Sequence, residues 1–392
     1  MKRTVVMLAV ACLLALPAMV PADNSGGEDR MSHKVANKAK TGGAEKVDVI
    51  VTYREMPDAA ENARVNGLGG TVKREYRNFK MRVFSVPAQA LPNLAKGKGV
   101  EFVSLDAPVE AASLSARQTA RVPLAGTGNF TIATSFRVVV MDSGIYEHTD
   151  LKVKHNIDII PPDAACEEWD EDECDEYMDH DDPYGHGTHI AGVIAGLGQY
   201  SNYAYPGVAP GAELIAVRVL DENGRGVVSD VIAGLDWVLD NVTKEKIGVL
   251  NLSLGKAVEE SATTDPLVQA VEAVWDAGIV VVCSAGNYGR DGAFSITSPG
   301  NSPKVITVGS LTDKETGTDF SDDFVSTYSS RGPTLIDHVL KPDLVAPGNR
   351  YVATGAKYSK LMWDMPERIE SCGLSYCEDK YFELSGTSMA AA

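Results

Sequence analysis

Phe136-Arg137-Val138-Val139-Val140-Met141-Asp142-Ser143-Gly144 is an apolar run that stops at an acid and a glycine. Its length suits a strand rather than a helix, and its unbroken apolar character suits a strand covered on both faces. Glu213–Leu220, Val249–Leu254, Ile279–Ser284 and Lys304–Val308 read the same way, and helical patterns lie between them at Val228–Val242 and Asp265–Ala277. Strands that alternate with helices predict an α/β fold, a mostly parallel sheet flanked by helices. In such sheets the working residues lie beyond the carboxyl ends of strands, which is where Asp142 is placed.

Toward the N-terminus the pattern changes. Val47–Tyr53 reads as a strand, Asp58–Asn66 as a short helix and Gly69-Gly70 as a turn. Two alternating runs follow, Thr71–Tyr76 and Met81–Val86, then a helix-like stretch at Ala88–Ala95 and a last strand, Val100–Leu105. This β-α-β-β-α-β order predicts a small ferredoxin-like α+β domain over 46–110, a fold that hosts many functions. Residues 23–45, rich in Ser, Gly, Lys, Asp and Glu, are expected to be a flexible leader. Residues 111–123 are small and irregular and read as an exposed linker.

Lys2 and Arg3, the apolar run Val5–Leu16, Pro17 and the small-residue exit Val20-Pro21-Ala22 make residues 1–22 a signal peptide and the protein an exported one. A membrane anchor is disfavoured because the run is short and proline cuts it. A lipoprotein start at Cys12 would leave very little apolar chain before it. The other cysteines form two close pairs, 166–174 and 372–377, expected as disulfides in an exported protein, and Cys283, expected as a buried free thiol.

The chain has 392 residues, 44% of them apolar, and a net charge of −18. That length holds one large domain and a smaller one. Twelve of the twenty residues from Asp163 to Asp182 are Asp or Glu, so much of the charge sits in one insertion, Pro161–Pro183. This argues against nucleic acid and anionic membranes as partners and leaves two readings open, a solvated loop or a calcium-binding one.

Four clusters carry candidate chemistry. Asp142 alone reads as a turn former as readily as a catalytic acid. In Gly185-His186-Gly187-Thr188-His189-Ile190-Ala191-Gly192, two histidines three apart suggest a metal site, but a third ligand at helical spacing is missing. The small apolar run after His189 reads as a buried helix, with His186 at its N-terminus suited to general-base work and His189 structural. In Ser385-Gly386-Thr387-Ser388-Met389-Ala390, Ser388 is either a helix cap or a nucleophile at a helix start. Asn287, in Ser284-Ala285-Gly286-Asn287-Tyr288-Gly289, is either a turn residue or an amide donor.

Together and in this order, these pieces resemble the subtilisin-like (subtilase) family over roughly 136–392. The resemblance rests on Val140-Met141-Asp142-Ser143-Gly144, His186-Gly187-Thr188-His189 and Gly386-Thr387-Ser388-Met389-Ala390. Asn251-Leu252-Ser253-Leu254-Gly255, Ser284-Ala285-Gly286-Asn287 and Asp343-Leu344-Val345-Ala346-Pro347-Gly348 add to it. It implies a serine endopeptidase with Asp142, His186 and Ser388 as its triad, and an oxyanion hole made by Asn287 and the Ser388 backbone N–H. Ser253, Leu254, Gly255 and Ser284, Ala285, Gly286 are then the two segments that bind an extended substrate.

The same resemblance makes 46–110 an inhibitory propeptide, with self-cleavage inside 111–121. It implies polypeptide substrates, no cofactor for the chemistry and a monomer that is secreted or otherwise extracytoplasmic. The catalytic domain, 124–392, is expected to be truncated at its C-terminus, because the resemblance implies a long helix after Ser388. A second insertion, Ala356–Leu384, is expected near that serine. The competing readings are a catalytically inactive relative acting as a binding or surface module, and an acid-pH enzyme in which Glu and Asp serve the serine, which His186 disfavours.

Overall fold

The computed structural model describes residues 27–111, 136–160, 181–314, 320–370 and 380–392. The signal peptide, most of the linker, most of the acidic insertion and both cysteine pairs lie outside the described residues.

Four antiparallel strands build the N-terminal unit: β1 (Lys46–Tyr53), β2 (Thr71–Glu75), β3 (Met81–Pro87) and β4 (Val100–Leu105), in the order β2-β3-β1-β4. That order is the ferredoxin-like one read from the sequence. One face is covered by α1 (His33–Thr41), α2 (Ala59–Gly67) and α3 (Leu91–Ala95), around Val35, Val49, Val51, Phe84 and Leu91. α1 corrects the flexible-leader expectation. Ser32 caps it by accepting from the Val35 N–H, and Val35 is fully buried with Ala36 and Ala39 packed beside it. The polar residues that suggested disorder lie on its outer face.

Pro108–Ala111 forms a strand of its own, β5, which takes in the first residue of the expected linker. The large sheet is built from β6 (Arg137–Asp142), β7 (Val153–Asp158) and β8 (Leu214–Arg218). Outside it lies β9 (Arg225–Val227); β10 (Ile247–Leu252) rejoins it, and β11 (Leu254–Gly255) again leaves it. It is completed by β12 (Val280–Ser284), β13 (Ile306–Thr312), β14 (Phe324–Val325) and β15 (Leu344–Pro347). The order is β14-β13-β12-β10-β6-β8-β7, with β15 also paired to β13, and every pairing but β13 with β14 is parallel. The α/β architecture is as the sequence predicts.

α4 (His186–Ala195) covers one face of this sheet and is buried throughout its length. On the other face lie α5 (Val228–Asn241) and α6 (Pro266–Asp276). α5 buries Val228, Val231, Ile232, Leu235 and Val238, a spacing that puts them on one helical stripe. α7 (Lys360–Asp364) runs beside the chain leading into α4, where the Lys360 N–H donates to the Pro183 carbonyl at 2.8 Å. The second insertion therefore begins on the histidine side of the site. A small sheet, β16 (Tyr351–Gly355), β17 (Ile369–Glu370) and β18 (Lys380–Leu384), leads into α8 (Thr387–Ala391).

The N-terminal unit lays its open sheet face on α5 and α6. Tyr76, Phe79, Met81 and Val83 share a core with Val231, Ile232 and Leu235. Asp236 accepts from the backbone N–H groups of Arg77 and Asn78, at 3.0 and 2.8 Å, and Arg74 pairs with Asp230 at 2.8 Å. Ser104 donates to Glu260 at 2.9 Å, and burial there, with Asp265 nearby, pushes the Glu260 carboxyl up to about 8. Cys283 is a buried free thiol, and burial pushes it up to about 12. Among the described residues no helix is long and apolar enough to cross a membrane.

Val35→Ala is expected to lower unfolding stability by about 1.5–3 kcal/mol, the loss of a fully buried branched side chain with its cavity. Urea denaturation of the whole chain measures it, and an unchanged midpoint would return residues 33–41 to the status of a loose leader.

Candidate active site

β6 ends on Asp142, whose carboxylate is fully buried. Its Oδ1 accepts from the Ser143 N–H at 2.8 Å and sits 2.7 Å from His186 Nδ1. A carboxylate can only accept, so Nδ1 carries the proton and Nε2 is left with its lone pair. His186 opens α4, and its Nε2 is buried without a hydrogen-bond partner.

Gly187 lets α4 come this close. A Cβ at that position would stand 2.1 Å from the Gly144 carbonyl oxygen and 3.2 Å from the Asp142 Cβ. Any other residue pushes the imidazole away from its carboxylate.

Ser388 lies in the first turn of α8, which touches both α4 and β12. Its hydroxyl donates to the Ser253 carbonyl at 3.1 Å, and the Ser253 hydroxyl accompanies the Ser388 carbonyl at the same distance. Asn287 Oδ1 accepts from both the backbone N–H and the hydroxyl of Thr387, at 3.0 Å each. That fixes which way the amide points and leaves Nδ2, which has no partner, as a free donor beside Ser388. Gly286 precedes it at φ +98°, a left-handed turn that a side chain would strain, and its N–H reaches Thr387 Oγ1 at 3.2 Å.

β11 carries two of the expected binding residues, Leu254 and Gly255, and both pair antiparallel with β5. The other side of β5 is taken by β9, with Val109 opposite Gly226 and Glu110 opposite Arg225. Ser284, Ala285 and Gly286 do not pair with this strand; they run from β12 into the Asn287 turn. The second pairing edge, Arg225–Val227, went unread in the sequence because a three-residue polar strand has no periodicity to detect.

His189 takes no part in this cluster. Its Nε2 donates to the carbonyls of Tyr351 and Phe382, at 3.0 and 2.9 Å. Burial, with His186 close by, pushes it down to about 3. The two histidines are thus not a metal pair, and no group of three or more His, Cys, Asp or Glu able to hold a metal occurs among the described residues. Asp182, counted in the acidic insertion, is not solvated at all; it is buried between the Asp142 and His186 segments. The run of charge around it concealed this.

The subtilase family model matches residues 134–392. The chain is 40% identical over 258 residues to serine protease AprX of Bacillus subtilis (strain 168), a match covering 64% of this chain and 53% of that protein. It is 29% identical over 323 residues to subtilisin E of the same strain, covering 81% and 74%. The chain thus spans about half the length of AprX. Among solved structures it resembles fervidolysin from Fervidobacterium pennivorans, a keratinolytic enzyme related to subtilisin, with a TM-score of 0.59 and 21% identity over 90% of this chain and 54% of that one. That likeness speaks for the fold.

Neutral and buried in the folded chain, His189 gains a proton in the unfolded chain below about pH 6.5. Its folded value is depressed, so the stability it contributes is intact above about pH 6.5 and falls as the pH drops toward about 3. The slope is up to about 1.4 kcal/mol per pH unit. His189→Asn should flatten that part of the curve in urea titrations; an undiminished slope would assign the acid loss to other groups.

Proposed function

Because the chain belongs to the subtilase family, we propose that it is a secreted serine endopeptidase, made as a self-processing precursor and cleaving polypeptides through an acyl-enzyme on Ser388. The observation that carries this reading is the buried 2.7 Å contact of His186 Nδ1 with Asp142, which leaves Nε2 unpartnered at the helix that touches the Ser388 helix.

In this mechanism the Ser388 hydroxyl turns from the Ser253 carbonyl to His186 Nε2, which takes its proton as the oxygen attacks the scissile carbonyl. Asp142 holds the ring in its Nδ1–H tautomer and balances the imidazolium. The tetrahedral oxyanion is received by Asn287 Nδ2 and by the Ser388 N–H, which lies in the first turn of α8. His186 then gives the proton to the leaving amine, and water repeats the sequence to free the acid. Every group is supplied by the chain, so the chemistry needs no cofactor. Structural calcium in the acidic insertion remains part of the proposal.

The N-terminal unit acts here as the inhibitory propeptide. Its last strand, β5, lies between β9 and β11 as an extended peptide would, and its sheet rests on α5 and α6. The match to subtilisin E is longer than the family region, so it reaches into this unit. A buried Val109 side chain and backbone pairing on both edges favour substrates that bind as strands.

Reaction with a fluorophosphonate probe, read by peptide mass spectrometry, is expected to place the adduct on Ser388, and His186→Ala to abolish it. Chelation with EDTA should leave the adduct intact and lower only the melting temperature if the acidic insertion holds calcium. An intact protein without an adduct would refute the catalytic reading.

Within 111–121 we propose one processing bond, starting from the register of β5. Leu254 faces Ala111 and Gly255 faces Glu110, so the described strand ends opposite the residue that follows Ser253, whose carbonyl holds the Ser388 hydroxyl. Cleavage is expected between Ala112 and Ser113, giving a mature N-terminus at Ser113 that Ser388→Ala fails to produce. N-terminal sequencing decides it: another terminus, or processing of the Ser388→Ala protein, would break the assignment.

A further inference from the structure

We propose that Asp182 is a positioning residue for the Asp142–His186 pair, acting through Ser143 and through the first turn of α4. The inference rests on the protease reading for its kinetic consequence, but its geometry stands apart from substrate.

Asp182 is 1% exposed. Its Oδ1 accepts from the Ser143 hydroxyl at 2.7 Å and the Gly185 N–H at 2.8 Å; its Oδ2 accepts from the Thr188 N–H at 2.8 Å and the Thr188 hydroxyl at 2.6 Å. One carboxylate therefore ties the residue after Asp142 to the residue before His186 and to the residue two beyond it. The ties are doubled by their neighbours. Ser143 Oγ accepts from the Gly187 N–H at 3.0 Å, and Thr188 Oγ1 accepts from the Tyr146 N–H at 2.8 Å. The Ser143 N–H, in turn, donates to the same Asp142 oxygen that meets His186. Moving Asp182 therefore shifts both members of the pair relative to each other.

The site requires a carboxylate. All four partners donate, and two are backbone N–H groups that cannot reverse. An asparagine must turn its NH2 onto one of them, whichever way it flips. Burial pushes the Asp182 carboxyl up, and the four donors work against that shift, favouring the charged form that accepts from all of them. Asp182 has none of its oxygens left for a metal ion, which separates it from the calcium reading of the insertion whose end it forms.

The test compares Asp182→Asn, Ser143→Ala and the double variant by kcat, KM and the pH profile of kcat/KM, with active sites counted by the fluorophosphonate adduct. Asp182→Asn is expected to lower kcat about 10- to 100-fold, the scale of a small misplacement of reacting groups, while KM stays within about twofold. The acid limb of kcat/KM, set by His186, should move. Because both residues act through one relay, the double variant should lose less than the product of the single losses. The far-downfield proton resonance of the His186 Nδ1–H should shift or broaden in Asp182→Asn, and this readout needs no turnover.

An Asp182→Asn protein with unchanged kcat, acid limb and Nδ1–H resonance overturns the proposal, as do single losses that simply multiply. If Asp182→Asn does not fold, Ser143→Ala and Thr188→Ala each remove one arm, and unchanged kcat and resonance in both also overturn it. A wild-type chain without turnover but with the resonance moved by Asp182→Asn would leave the positioning role standing and reject the protease reading.

Discussion

The parallel pairing of β6 with β8 and β10 is the constraint from which the site follows. Val140 faces Ala216 on one side and Asn251 on the other, and Asp142 faces Arg218. Parallel strands all end at the same edge, so Asp142, Ser253 and the Ser284–Asn287 turn emerge there together. The two helices that complete the site cannot be placed by strand pairing. α4 is held by its all-buried surface between the sheet and β16, and α8 by its packing on β12, β13 and β15. Residues more than two hundred positions apart meet because the sheet leaves them one edge to meet on.

At that edge, orientation is set by hydrogen bonds whose direction is not free. Asp142 holds two N–H groups on one oxygen. Asn287 gives its oxygen to Thr387 and keeps its amide for use. Asp182 collects four donors. Groups arranged before the reaction need not reorganise during it, which is why such fixed dipoles are effective in a buried site. The close approach at Gly187 serves the same end by sterics alone.

The cleft has an open edge on each side, β9 and β11, and an open edge accepts any extended strand. β5 occupies it here, tethered to a unit whose sheet is docked on α5 and α6 through both apolar packing and the Asp236 and Asp230 contacts. Tethering makes the local concentration of β5 high, so a strand held by backbone pairing and the one buried side chain of Val109 fills the cleft. Under the proposed function, substrate binding and self-inhibition would draw on the same pairing.

The amino-acid order by itself determined most of the elements and the candidate site residues. Val138–Met141, Val49–Val51 and the stripe of α5 are decided by local apolar spacing, which a chain shows before it folds. Asp142, His186, Asn287 and Ser388 stand in motifs whose residue types are demanded by the chemistry. What only the tertiary structure decided is where polar residues go. Ser32 and Val35 made a helix of a stretch whose composition reads as loose, because the apolar face it buries is supplied by β4 and α3. Arg225–Val227 became a strand only because β5 lay beside it. Asp182 ends a stretch with twelve acids and looks solvated, yet Ser143, Gly185 and Thr188 converge on it. Composition reports the average preference for water; burial of one carboxylate depends on particular donors, here three from the start of α4 and one, Ser143, that only the folded sheet brings to it.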